Sequence, residues 1–119
     1  IPLFAKVPIA ALSKINQKVD PVILAAKKAV FNKGDKADSM YIIEFGHVEV
    51  VLDKPVKLGP GDYFGEMGLL GNTTRNATIR TLDEVKLLEL TKEDLEELLE
   101  EHEVLFREIE DKISGINGK

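Results

Sequence analysis

Short apolar runs, broken by turn residues every eight to twelve positions, occupy the chain from position 22 to position 90. This spacing predicts an antiparallel sandwich or barrel. The runs fall at 22–25, 29–32, 40–45, 47–52, 55–58, 77–82 and 85–90. Between them stand Gly34-Asp35, Gly46, Asp53-Lys54 and Gly59-Pro60-Gly61-Asp62. These supply turn chemistry through permissive glycine, fixed proline or a local Asp hydrogen bond. Alternation in His47-Val48-Glu49-Val50 puts Val48 and Val50 on one face, with the phase slipping at Val51, as in a half-buried strand ending near a turn.

Helical periodicity brackets the predicted strands. Near the start, Pro8 followed by Ile9, Leu12 and Ile15 reads as a short amphipathic helix. After Leu90 the period changes. Leu95, Leu98, Leu99, His102, Leu105, Phe106, Ile109 and Ile113 keep i, i+3, i+4 spacing along one stripe. Thr91, with Asp94 three residues on, has the form of a capping box. The helical pattern ends near Gly115, and a break near His102 gives two consecutive helices.

At 119 residues and 44% hydrophobic composition, the expectation is one domain, 1–119, with a real core. There is no Cys, which excludes disulfides, thiolate metal sites and a Cys nucleophile and fits a reducing, cytoplasmic setting. No apolar run approaches the roughly 20 residues of a spanning helix. The chain opens on Ile1-Pro2-Leu3-Phe4 with neither Met nor a targeting pattern, so it reads as a segment of a longer protein. The net charge of −5 is uneven: positions 1–91 hold twelve basic and eleven acidic side chains, positions 92–112 three and ten. With no basic stripe, a nucleic-acid surface is not expected.

Candidate chemistry concentrates in one stretch. Gly59-Pro60-Gly61-Asp62-Tyr63-Phe64-Gly65 turns sharply into Glu66-Met67-Gly68-Leu69-Leu70, long enough for one or two helical turns, and Arg75-Asn76-Ala77 follows. Free N–H groups at the helix start form an anion site. Gly65 and Gly68 let a ligand approach the backbone closely, Met67 and Leu70 face the core, and the Glu66 carboxylate points at the ligand. A carboxylate accepts hydroxyl hydrogens while Arg grips phosphate oxygens in a fork. Glu66 and Arg75 therefore suit a ligand with a sugar hydroxyl at one end and a phosphate at the other.

Gly-Glu-Met-Gly-Leu-Leu followed by Thr-Arg-Asn-Ala-Thr-Ile resembles the phosphate-binding cassette of the cyclic nucleotide-binding domain family. Members include the catabolite activator protein, protein kinase A regulatory subunits and cyclic nucleotide-gated channels. The resemblance extends through Pro2-Leu3-Phe4, Val7-Pro8, Gly34-Asp35, Met40-Tyr41-Ile42-Ile43, Gly46-His47-Val48-Glu49-Val50 and Gly59-Pro60-Gly61-Asp62, nearly the whole chain. It implies a mainly β fold with flanking helices: an antiparallel β-roll of jelly-roll type with a short N-terminal helix, a short cassette helix and C-terminal helices. It also implies a ligand site at Phe64, Gly65, Glu66, Met67, Gly68, Arg75, Asn76 and Ala77. In that site Glu66 binds the ribose 2′-hydroxyl, Arg75 the cyclic phosphate, and amides around Met67 and Gly68 assist. The implied ligand is a 3′,5′-cyclic nucleotide, cAMP favoured over cGMP on family frequency. The family often has Ala where Gly68 stands and Ala, Ser or Thr where Asn76 stands, and the Asn amide can donate to phosphate or base.

Taken alone, Glu66 and Arg75 would read equally as a surface ion pair worth about 0–1 kcal/mol. The flanking glycines and the chain-wide pattern favour binding. The glycines at 34, 46, 59 and 61 have a plain turn role. His47 and His102 sit far apart without metal-ligand spacing, which counts against a cupin-type metal enzyme; no catalytic constellation assembles, and no cofactor is expected. His102 reads as a packed or boundary residue, and the acidic run 93–103 as a solvated helix face. The expected device is a C-terminal helix whose apolar stripe rests on the barrel in one state and covers the ligand in another, acting on an output domain or a homodimer partner. The alternative is a ligand-free roll used as a protein-interaction module.

Overall fold

The computed structural model describes Val7, residues 9–70 and residues 73–118. Pro2, Leu3, Phe4, Pro8 and the Leu105 side chain lie outside the described residues. Among the described residues, helix α1 (Ile9–Lys18) is followed by ten strands: β1 (Pro21–Leu24), β2 (Ala29–Phe31), β3 (Lys36–Ala37), β4 (Met40–Phe45), β5 (Val48–Val51), β6 (Val56–Leu58), β7 (Tyr63–Phe64), β8 (Thr73–Thr74), β9 (Thr78–Thr81) and β10 (Val85–Leu90). A 3-10 helix, Glu66–Leu70, sits between β7 and β8, and α2 (Lys92–Glu101) and α3 (Glu103–Gly118) close the chain. Ladders are antiparallel throughout, in sheets ordered β1-β10-β4-β7 and β2-β9-β5-β6, with a separate β3-β8 pair. This is the expected β-roll with flanking helices.

Each long apolar run is long because its strand is buried on both faces. In β4 and β10, Met40 pairs with Leu90 and Ile42 with Leu88. These four face the helices, joining Leu12 and Ile15 of α1, Leu95 and Leu98 of α2, and Phe106, Ile109 and Ile113 of α3. Ile43, Val85 and Leu87 turn the other way, into the roll, to meet Val48, Phe64 and Ile79. Burying each such side chain contributes about 1.5–3 kcal/mol. On the second sheet, Glu49 lies between Arg80 and Lys57, and this polar row gives β5 its alternation. Val51, where the phase slips, is exposed.

The helix boundary follows its sequence signals. Thr91 Oγ1 accepts from the Asp94 N–H at 3.2 Å and the Thr91 N–H donates to Asp94 at 3.0 Å, completing the capping box. His102 caps α2, its N–H donating to the Leu98 carbonyl at 2.7 Å, and its ring lies against Phe106. The break falls there, as expected, although α3 continues past Gly115 to Gly118. The acidic run is not wholly a solvated face. Lys18 of α1 reaches Glu97 at 3.6 Å and Glu101 at 3.3 Å, and its pKa is raised first by the hydrogen bond to Glu101.

Candidate functional site

The β-roll positions the cassette by four backbone devices. Gly61 N–H donates to the Ile43 carbonyl and the Asp62 carbonyl accepts from the Ile43 N–H, fixing the turn before β7. Gly65 then takes φ +78°, a left-handed conformation that glycine adopts without strain. Beyond the 3-10 helix, β8 pairs with β3, Thr74 opposite Lys36. Arg75 is held on both sides: its N–H donates to the Asp35 carbonyl and its carbonyl accepts from the Gly34 N–H, each at 2.7 Å. The Gly34-Asp35 turn thus clamps the Arg75 backbone as well as reversing the chain.

These elements enclose a cavity of about 410 Å³. Phe64, Gly65, Glu66, Met67 and Gly68 line it together with Arg75, Asn76 and Ala77. All eight residues singled out in the sequence therefore line one cavity. The apolar remainder comes from Phe31, Ala37, Val50 and Ile79. Met67 belongs to that lining rather than to the core, where Leu69 is buried instead. A helix too short for 3.6-residue periodicity gave no warning of that phase.

Arg75 is only 7% exposed. Its Nη1 donates to the Ser39 carbonyl at 2.9 Å and to the Gly65 carbonyl at 3.3 Å, and Nη2 to Ser39 Oγ at 3.4 Å. Its plane lies 4.1 Å above the Phe31 ring centroid, with Tyr41 at 5.7 Å. The Nε is buried without a partner. Nη1 thus anchors the group with a longer contact from Nη2, while Nε keeps its donor capacity. Ser39 Oγ in turn donates to Glu89 at 2.7 Å, and the Tyr41 hydroxyl donates to the same oxygen at 3.1 Å. Burial, and then the Glu89 charge, raise the Tyr41 pKa.

Arg75 and Ser39 also stand close to the backbone at Gly65 and Gly68. A Cβ on Gly65 would lie 2.9 Å from Arg75 Nη1, and one on Gly68 2.6 Å from the Ser39 carbonyl oxygen. The Gly68 N–H already donates to the Gly65 carbonyl at 2.9 Å.

Glu66 and Arg75 take different partners. Glu66 Oε2 is 3.3 Å from Lys112 Nζ of α3, and that ammonium lies 4.8 Å from the Tyr63 ring centroid. Burial opposes the Lys112 charge, but the hydrogen bond to Tyr63 and the Glu66 carboxylate outweigh it, leaving the Lys112 pKa raised. Among the described residues, none of α2 or α3 lines the cavity. The apolar stripe of α3 rests on the outer face of the roll.

Sequence reasoning missed Ser39, Phe31 and Lys112, which hold Arg75 and Glu66. Nothing local marks them, because strand pairing and helix docking bring them in from afar. His47 does have a carboxylate companion, Asp83, whose Oδ2 lies 2.8 Å from Nδ1. Among the described residues, however, no three metal-ligating side chains gather.

Fold and site together define a ligand-binding β-roll. Residues 21–102 match the family described as the cyclic nucleotide-binding domain. The chain is 40% identical over 97 residues to a cyclic nucleotide-gated potassium channel of Rhizobium etli, covering 81% of this chain and 27% of that one. It is 32% identical over 114 residues to a cAMP-dependent protein kinase regulatory subunit of Emericella nidulans, covering 92% and 28%. A solved structure described as Sp-2Cl-cAMPS bound to PKAR CBD2 matches with a TM-score of 0.65 at 25% identity, covering 88% of this chain and 74% of that one. The chain thus spans under a third of either relative's length. It belongs to the cyclic nucleotide-binding domain family and is a cyclic nucleotide-binding regulatory domain.

Proposed function

We propose that this domain senses a 3′,5′-cyclic nucleotide, cAMP ahead of cGMP, and transmits occupancy through its C-terminal helices to an output domain. Glu66 accepts the ribose 2′-hydroxyl. Arg75 engages the exocyclic phosphate oxygens through its Nε–Nη2 edge, with cassette amides assisting and Asn76 near the base or phosphate. One observation carries the reading: an acid and a buried, aromatic-stacked guanidinium with an unpartnered N–H line the same cavity. A buried orphan donor costs about 1–3 kcal/mol, which a phosphate oxygen would recover. The kinase regulatory subunit among the relatives supports cAMP as the first ligand to try. Helix α3 packs against α2 and against the cassette's 3-10 helix, with Lys112–Glu66 as an ion pair between them, a contact through which occupancy can reach the helix.

Isothermal titration with cAMP and cGMP, beside Arg75→Ala and Glu66→Ala, tests this. One-to-one binding weakened about tenfold or more by each substitution is expected, since a hydrogen bond to a charged group contributes about 1.5–3 kcal/mol. Absence of binding by well-folded protein would sink the sensor reading and leave an interaction module.

A further inference from the structure

We infer that Lys112, on α3 and outside the cavity, is a positioning residue that sets the domain's preference for a ligand bearing a ribose 2′-hydroxyl. The inference rests on the assignment of Glu66 to that hydroxyl. The Glu66 side chain is 18% exposed and belongs to the cavity wall, yet its Oε2 is 3.3 Å from Lys112 Nζ. Lys112, 47% exposed, has its ammonium 4.8 Å from the Tyr63 ring centroid, and α3 is anchored on either side of it by Ile109 and Ile113 in the core. A carboxylate offers about four lone-pair sites, so an ammonium on one oxygen leaves the other free to accept. An untethered Glu has several rotamers to lose on binding. Lys112 removes that freedom before the ligand arrives, which is preorganisation of an acceptor by a neighbour that never touches the ligand.

The consequence is selective. The charge of Lys112 also offsets that of Glu66 near an anionic ligand, but this acts equally on cAMP and on 2′-deoxy-cAMP. The placement of the Glu66 oxygen matters only to the nucleotide with the hydroxyl. The ratio of the two affinities therefore reads the placement of the Glu66 oxygen, and Lys112→Arg, which keeps the charge and the long stem, together with unfolding of each variant, separates the ion pair from a general loosening of α3 against the cassette.

The test is isothermal titration of the whole chain with cAMP and 2′-deoxy-cAMP, comparing wild type, Lys112→Met, Lys112→Arg, Glu66→Gln and the Lys112→Met/Glu66→Gln double variant, each checked for folding by circular dichroism. Wild type is expected to prefer cAMP by about tenfold or more. Lys112→Met reduces that preference about fivefold, the equivalent of immobilising one flexible side chain. Lys112→Arg keeps the preference, and the double variant matches Glu66→Gln. A preference lost in Glu66→Gln but intact in Lys112→Met overturns the inference alone. A preference unmoved by Glu66→Gln overturns the Glu66 assignment and the role of Lys112 with it.

Discussion

Gly68→Ala sets two physical arguments against each other. Within a helix, Ala is favoured over Gly by about 1 kcal/mol, and family resemblance makes Ala the commoner residue at this position. Gly68 lies inside the 3-10 helix, so no backbone strain opposes the change. Contact does. The added Cβ would stand 2.6 Å from the Ser39 carbonyl oxygen, 3.1 Å from the Ser39 nitrogen and 3.0 Å from Arg75 Nη1. Two of these atoms are backbone beside β4 and cannot rotate away. Overpacking of this kind costs about 1–3 kcal/mol. Pushing the Ser39 carbonyl aside also lengthens its 2.9 Å bond from Arg75, a charge-assisted bond worth about 1.5–3 kcal/mol when intact. With about 2 kcal/mol of overpacking, about 1 kcal/mol of weakened bonding and about 1 kcal/mol of helical gain, the net destabilisation is about 2 kcal/mol. For a chain of this size that lowers Tm by about 8 °C. Urea titration at constant m-value measures it. A Gly68→Ala protein as stable as wild type, or more so, would refute the packing argument and leave propensity in charge.

Two further outcomes follow from named contacts. Thr91→Ala removes the side-chain acceptor of the α2 capping box and should cost about 0.5–2 kcal/mol in urea unfolding, whereas Thr91→Ser should cost far less. Asp83 has its pKa lowered by the His47 side chain first and the His47 N–H second. Its folded value thus lies below its unfolded value, and the stabilisation is present above the unfolded pKa and lost as pH falls through the folded one. Carboxyl NMR titration should find the Asp83 midpoint below the usual Asp value, and His47→Ala should raise it only partway because the backbone donor remains.

Much of the roll was legible because its long strands bury both faces. Runs such as 40–45 and 85–90 have no polar alternation to blur them, and Gly and Pro punctuate their ends. The period change after Leu90 and the Thr91–Asp94 box marked α2 for the same reason: the information is local. The two-residue strands β3, β7 and β8 left no pattern, since a ladder that short is formed by its partner rather than by its own residues.

The same division runs through the site. The cassette was visible because its glycines, acid and guanidinium lie within one short segment, so chemistry and sequence proximity coincide. What aims those groups was invisible, because Ser39 reaches Arg75 across 36 residues and Lys112 reaches Glu66 from α3, far along the chain. Gly68 shows what that distance conceals. Read locally, it is a helix residue that should have been Ala. Read in the fold, it is the gap through which Ser39 and Arg75 meet, so a substitution that improves the helix disorders the guanidinium that the cavity depends on.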